Sequence, residues 1–164
     1  MKKVDYMSVA EEAMTQIKKG AFLTVKAGSD LNTMAIGWAT IGVVWQKPIF
    51  MVAVRDSRHT FGIIERAADF TVTVPSGDMA DQIMFCGTKS GKEMDKFKEC
   101  GLEITDAQQV TSPIINSPGL HFECEIVFKS AMDPKFLTEK YKKLYNENDY
   151  HTLYFGEIRD CYEL

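Results

Sequence analysis

Two short stretches carry the residue types that hold an anion. In CGTKSGKEMDKF, residues 86–97, glycines, hydroxyls and lysines stand between an apolar run and a helical pattern. Backbone N–H groups freed by Gly87 and Gly91, the hydroxyls of Thr88 and Ser90, and the charge of Lys92 or Lys96 could cradle a phosphate near a helix start. A nucleotide-triphosphate loop is excluded, because G-x-x-x-x-G-K-[ST] needs four residues between its glycines and a hydroxyl after its lysine. Here three residues separate Gly87 from Gly91, and Glu93 follows Lys92. The second stretch, RDSRHT, residues 55–60, offers Arg55 and Arg58 for bidentate contacts, with Ser57 and Thr60 at the start of a helix. A solvated turn is the alternative for the first stretch; a helix cap with surface ion pairs is the alternative for the second. A third segment, NTMAIGWAT, residues 32–40, reads as a strand with Gly37 in its interior, where a flat ligand or another backbone can come close. Trp38 is then an aromatic wall or a plain core residue.

The elements that must position these residues read as mainly β. Val4, Met7, Ala10, Met14 and Ile17 recur at helical spacing before Gly20. AFLTVKA, MAIGWATI, PIFMVAVR and DFTVTVP, rich in β-branched and aromatic residues and separated by turn residues, predict four strands. A helix follows Arg55, with Ser57 as its N-cap and Phe61, Ile64 and Ala68 on one face. Further helical segments are expected over 78–85 and, directly after the glycine-rich loop, over 92–99, with Gly101 as the stop. LHFECEIVF alternates as a half-buried strand, with His121, Glu123 and Glu125 on the solvent side. TEKYKKLYNEN reads as a solvated face, and HTLYFGEIRDCYEL as a last strand. No repeat or linker divides the chain, so residues 1–164 are expected to form one domain, a barrel with inserted helices.

Composition narrows the function classes. A chain of 164 residues, 45% hydrophobic, is long enough for one well-cored domain. With 19 Lys and Arg against 23 Asp and Glu it lacks the footprint of a general nucleic-acid binder. Neither a signal peptide nor a membrane-spanning run is present, which makes a cytoplasmic protein the expectation. Cys86, Cys100, Cys124 and Cys161 form no C-x-x-C, and His59, His121 and His151 are equally dispersed, so no metal is expected and the thiols should be reduced.

Taken together, the three segments resemble the flavin reductase-like family of FMN-binding split barrels, and its flavoredoxin-like branch most closely. The resemblance runs through GAFLTVKAG, NTMAIGWATIGVVWQKPIF, VRDSRHTFGIIERAADFTVTVP, CGTKSGKEMDKFKECGL, HFECEI and HTLYFGEI, from about Gly20 to Ile158. It implies a Greek-key split β-barrel with peripheral helices, and a homodimer with FMN at the interface. By position it implies that Asn32, Trp38 and Thr40 line the flavin, and that Arg55, Ser57, Arg58 and Thr60 hold the FMN tail and phosphate. Gly87, Thr88, Ser90, Gly91, Lys92 and Lys96 match the family's glycine-rich loop and the lysine after it. His151 and Glu157 match the late strand near the open flavin face. Departures are His59, where relatives often carry an aromatic, Ala35, where a hydroxyl is common, and Tyr150, where many have aspartate. The implied function is an NAD(P)H-dependent flavin or ferric reductase, with chemistry on FMN and with NAD(P)H binding transiently, since no G-x-G-x-x-G occurs. The alternative is a non-catalytic FMN carrier serving a protein partner. A flavin-free binding module is the third reading.

Overall fold

A helix and a strand that cannot bury their apolar faces alone fix the first corner of the molecule. The computed structural model describes residues 1–164, apart from the side chain of Asn146. After a two-residue strand β1 (Lys2–Lys3), helix α1 (Tyr6–Ile17) starts at Asp5, whose carboxylate accepts from the backbone N–H groups of Met7 and Ser8. Its Ala13 and Ile17 are fully buried.

Strands β2 (Ala21–Ala27), β3 (Asp30–Ile36), β4 (Ala39–Val44) and β5 (Lys47–Arg55) follow, then helix α2 (His59–Ile64) and β6 (Asp69–Pro75). Helices α3 (Ala80–Thr88) and α4 (Lys96–Cys100) precede the short pair β7 (Ile104–Thr105) and β8 (Ile114–Ile115). The long β9 (Gly119–Ala131), the one-turn helix α5 (Glu139–Lys142) and β10 (His151–Glu163) complete the chain. The main sheet is antiparallel throughout, in the order β3-β2-β6-β9-β10-β5-β4, with β1 beside β10. One core joins Leu23 and Val25 of β2, Val52 and Val54 of β5, Val72 of β6 and Phe122 of β9, so the sheet rolls around it as a barrel. The two end strands, β3 and β4, are consecutive in the chain and joined only by Gly37 and Trp38. The barrel is split at that seam.

Four expectations are corrected. The strand through Gly37 is two strands, and Gly37–Trp38 is the crossing between the sheet's two edges. Helix α2 has Arg58, not Ser57, at its N-cap position; it ends at Ile64, and Ala68 is exposed. Helix α3 runs on through Gly87 and Thr88, so the glycine-rich loop begins at a helix carboxyl end, and the next helix starts only at Lys96, capped by Asp95. Finally, His121 and Glu123 are fully buried, because the segment around β7 and β8 covers their face. Glu123 accepts from the backbone N–H groups of Gln108 and Gln109 and from the Tyr162 hydroxyl. That satisfies a buried carboxylate which alternation alone assigns to solvent.

Candidate functional site

Helix α3 ends with unpaired carbonyls and the negative end of its dipole, which attracts cations. Two arrive from different elements. Arg58 donates through Nη1 to the carbonyl of Gly87 at 3.0 Å, and Lys96 donates through Nζ to that of Cys86 at 2.8 Å. Lys96 is only 4% exposed, and burial lowers its pKa, with Arg58 lowering it further. The same burial pushes the Cys86 thiol up to about 12, so this cysteine is no nucleophile.

Around these cations lies a pocket of about 120 Å³, walled by Asn32, Ser57 to Thr60, Thr88 to Gly91 and Lys96. Asn32 is fixed by donating to the buried Thr60 hydroxyl at 2.8 Å. Gly91 packs so closely that a Cβ there would collide with Asn32 Oδ1 and stand 2.8 Å from His59 Cδ2. A side chain would fill the cradle. Lys92 is exposed and outside the pocket's lining, in a neighbouring groove with Ser29 and Leu31 that shares Asn32, Gly91 and Lys96 with the pocket.

A second, broader cleft of about 280 Å³ adjoins the first, sharing Met34 and Arg58, and sits at the barrel's seam. Its walls are the backbone and side chains from Ala35 to Trp38, with Ala53, Arg55 and His151. Trp38, 44% exposed, is a wall and not core; its ring meets the His151 imidazole at 4.7 Å. Burial and the nearby Arg55 and Arg58 hold His151 down at about 4, against a smaller opposing effect of Asp149, so the ring is neutral at physiological pH.

The segment before β10 closes over one side of this cleft, and no sequence signal singled out its two contacts. Asp149 accepts from the Ser57 hydroxyl at 2.8 Å and from the Ser57 backbone N–H at 3.2 Å, and pairs with Arg55 at 3.6 Å. Tyr145 touches Trp38 edge-on, lies under the Arg55 guanidinium and bonds His151. The only hint was that both stand just before His151 in an otherwise solvated stretch.

Of the residues expected at the site, Asn32, Ser57, Arg58, Thr60, Thr88, Ser90, Gly91 and Lys96 line the small pocket, while Gly87 accepts from Arg58 at its edge. Trp38, Arg55 and His151 line the cleft. Arg55 and Ser57 are engaged by Asp149. Thr40 and Glu157 lie outside the linings of both cavities. Thr40 pairs with Met51 on β5, and Glu157 is six residues along β10 from His151, roughly 20 Å, ion-paired with Lys47 and Arg159. Among the described residues no group of three or more His, Cys, Asp or Glu gathers to hold a metal. Among the same residues no helix is long and apolar enough to cross a membrane.

A mainly β split barrel with two joined cavities at its seam defines a class of protein, and the chain belongs to the flavin reductase like family, whose domain matches residues 17–164. Particular relatives follow. An uncharacterised protein of Pyrococcus abyssi is 27% identical over 133 residues, covering 80% of this chain but only 65% of its own length. One of Archaeoglobus fulgidus is 26% identical over 137 residues, covering 84% of this chain and 68% of its own. Among solved structures, flavoredoxin of Desulfovibrio vulgaris (Miyazaki F) superposes with a TM-score of 0.69 at 23% identity, over 88% of this chain and 69% of that one. The NADH:FAD oxidoreductase of Streptomyces globisporus C-1027 does so at 0.66 and 18%, over 88% and 75%. At those identities the likeness speaks for the fold.

Proposed function

We propose that the chain binds FMN, with the phosphate in the small pocket and the ring in the seam cleft, and acts as an oxidoreductase toward reduced nicotinamide dinucleotides. The observation that carries this reading is the joining of the two cavities through Arg58 and Met34: a compact cationic end runs into a broad cleft walled by Trp38 and His151. The residues fit the group. Arg58 and Lys96 supply the charge, the Ser90 hydroxyl supplies a donor, the lack of a side chain at Gly91 keeps the cradle open, and Gly37 lets a flat ring approach. FMN, when bound, would supply the hydride and electron chemistry. The protein's share is to fix orientation, exclude water from the buried side of the cleft and present an uncharged imidazole. One structural neighbour is a flavoredoxin, so an electron carrier is the other outcome, and the experiment separates the two.

A homodimer belongs to the same proposal. Thr40, Met51, Phe155 and Phe128 are aligned by register across β4, β5, β10 and β9 on the sheet's outer face. That face is continuous with the cleft, reaching Ala53 two residues and the Arg55–His151 pair four residues further along the strands. Phe128 and Val127 are exposed there. A second copy on this face would cover them and bring Thr40 and Glu157 toward a partner's cleft.

The test is direct. Purified protein supplemented with FMN should retain flavin absorbance through desalting, and anaerobic NADH or NADPH should bleach it. Retention without bleaching by either nucleotide would leave the carrier; no retention would reject the flavin site.

A further inference from the structure

The Tyr145 hydroxyl lies 3.1 Å from Nδ1 of His151, and among the described residues it is the only hydrogen-bond partner of that ring. His151 is 7% exposed and lines the cleft, and Trp38 and Tyr145 flank its imidazole at 4.7 and 5.5 Å. The ring cannot rotate without breaking both contacts. A neutral imidazole has one donor nitrogen and one acceptor, and whichever Tyr145 takes leaves the opposite kind for a ligand.

The chemistry of the pair decides the direction. Imidazole is the stronger base and phenol the better donor of the two, so O–H to Nδ1 is favoured over N–H to the phenol oxygen. The Arg55 guanidinium, 5.2 Å from the Tyr145 ring centroid, draws electron density from the ring and strengthens the hydroxyl as a donor. Arg55 is itself held by Asp149 and by the Asp149 carbonyl at 2.8 Å, so it stays over the ring. The hydrogen then resides on Nε2, the nitrogen left for the cleft.

We propose that Tyr145 is a positioning residue that fixes His151 as an Nε2–H donor, and that this donor takes the carboxamide oxygen of a reduced nicotinamide dinucleotide entering the cleft. The second half rests on the flavin reading above; the first half does not. An uncharged N–H beside an already paired arginine suits a neutral oxygen acceptor better than a carboxylate.

Imidazole ¹⁵N NMR on the flavin-free protein reads the first half. Nδ1 of His151 should carry no hydrogen and should resonate upfield of an unbonded imine nitrogen, and Tyr145→Phe should return it to the unbonded position. A hydrogen on Nδ1 in the unaltered protein, or a resonance that ignores Tyr145→Phe, overturns the assignment. In the FMN-loaded protein the same variant should raise KM for a reduced nicotinamide dinucleotide about fivefold, the worth of one oriented hydrogen bond, with FMN affinity changed less than about twofold. An unchanged KM beside the expected NMR response overturns the substrate contact alone. If the protein takes up no FMN, the flavin reading fails, while the ligand-free spectra still decide the role of Tyr145.

Discussion

Lys96 Nζ donates to the Cys86 carbonyl at 2.8 Å, so the first residue of α4 ties down the last turn of α3 across the glycine-rich loop. The contact holds a buried cation at the wall of the small pocket, whereas Lys92 is exposed and outside that wall. Lys96→Met should weaken FMN binding about 10- to 100-fold, with a steeper loss at high salt for the unaltered protein than for the variant. Lys92→Met should cost less than about threefold. Fluorescence titration at two salt concentrations measures both, and equal effects would dismiss the distinction.

The proton on Lys96 supplies an independent check. Burial lowers its pKa in the free protein, and a phosphate beside it would raise that pKa again. Binding should therefore take up protons, and FMN affinity should fall as pH rises through the lowered pKa. Calorimetry between pH 7 and 10 in buffers of differing ionisation enthalpy gives the proton count. Zero uptake across that range would contradict phosphate beside Lys96.

Gly91→Ala places a methyl group against Asn32 Oδ1 and His59 Cδ2. The expected loss of stability is about 1–3 kcal/mol, the usual range for an overpacked site. Displacement of Asn32 from Thr60 should also weaken FMN binding. Thermal melts with and without FMN separate the two effects, and an unchanged melt would show that the cradle is not tight.

Acid should loosen the fold as its two buried histidines are driven toward charge. His121 and His151 are both held at about 4, chiefly by burial, against about 6.5 when unfolded. Between those values the unfolded chain binds more protons, so their contribution is whole above about pH 6.5 and shrinks as pH falls toward 4. The ceiling is about 3 kcal/mol for each ring. Urea midpoints at pH 7.5 and 4.5, with His151→Gln as comparison, should show a smaller drop in the variant.

The outer sheet face predicts an oligomer. Light scattering should give twice the chain mass, and Phe128→Lys should give the monomer, because a charge would enter an apolar row that includes Met51 and Phe155. A monomeric unaltered protein would remove the dimer from the proposal.

The sequence made most of this barrel readable because its strands carry their own pattern: β2, β5, β6 and β10 stand where β-branched and aromatic runs stand. It misled where a neighbour decides. His121 and Glu123 alternate like a solvent face, and only the distant segment around β7 and β8 buries them. Ser57 has a cap's chemistry, but Asp149 claims it from the far side of the fold. Gly87 and Thr88 look like loop residues, yet α3 extends over them because Arg58 and Lys96 neutralise its carbonyl end. The small pocket was legible as a composition. Tyr145 and Asp149 were not, since a tyrosine and an aspartate in a charged segment carry no period and no spacing.

The seam between β3 and β4 has a mechanical meaning. Every other neighbouring pair in the path from β3 to β4 is laced by a ladder of backbone bonds, while among the described residues these two edges are joined only through the Gly37–Trp38 crossing. Edge strands are the part of a sheet freest to splay and to pair with foreign chains. A flat molecule lodged there would act as a rivet, joining two rims that the polypeptide leaves unstitched, so that loading the cleft would stiffen the whole wall of the barrel and not just the pocket.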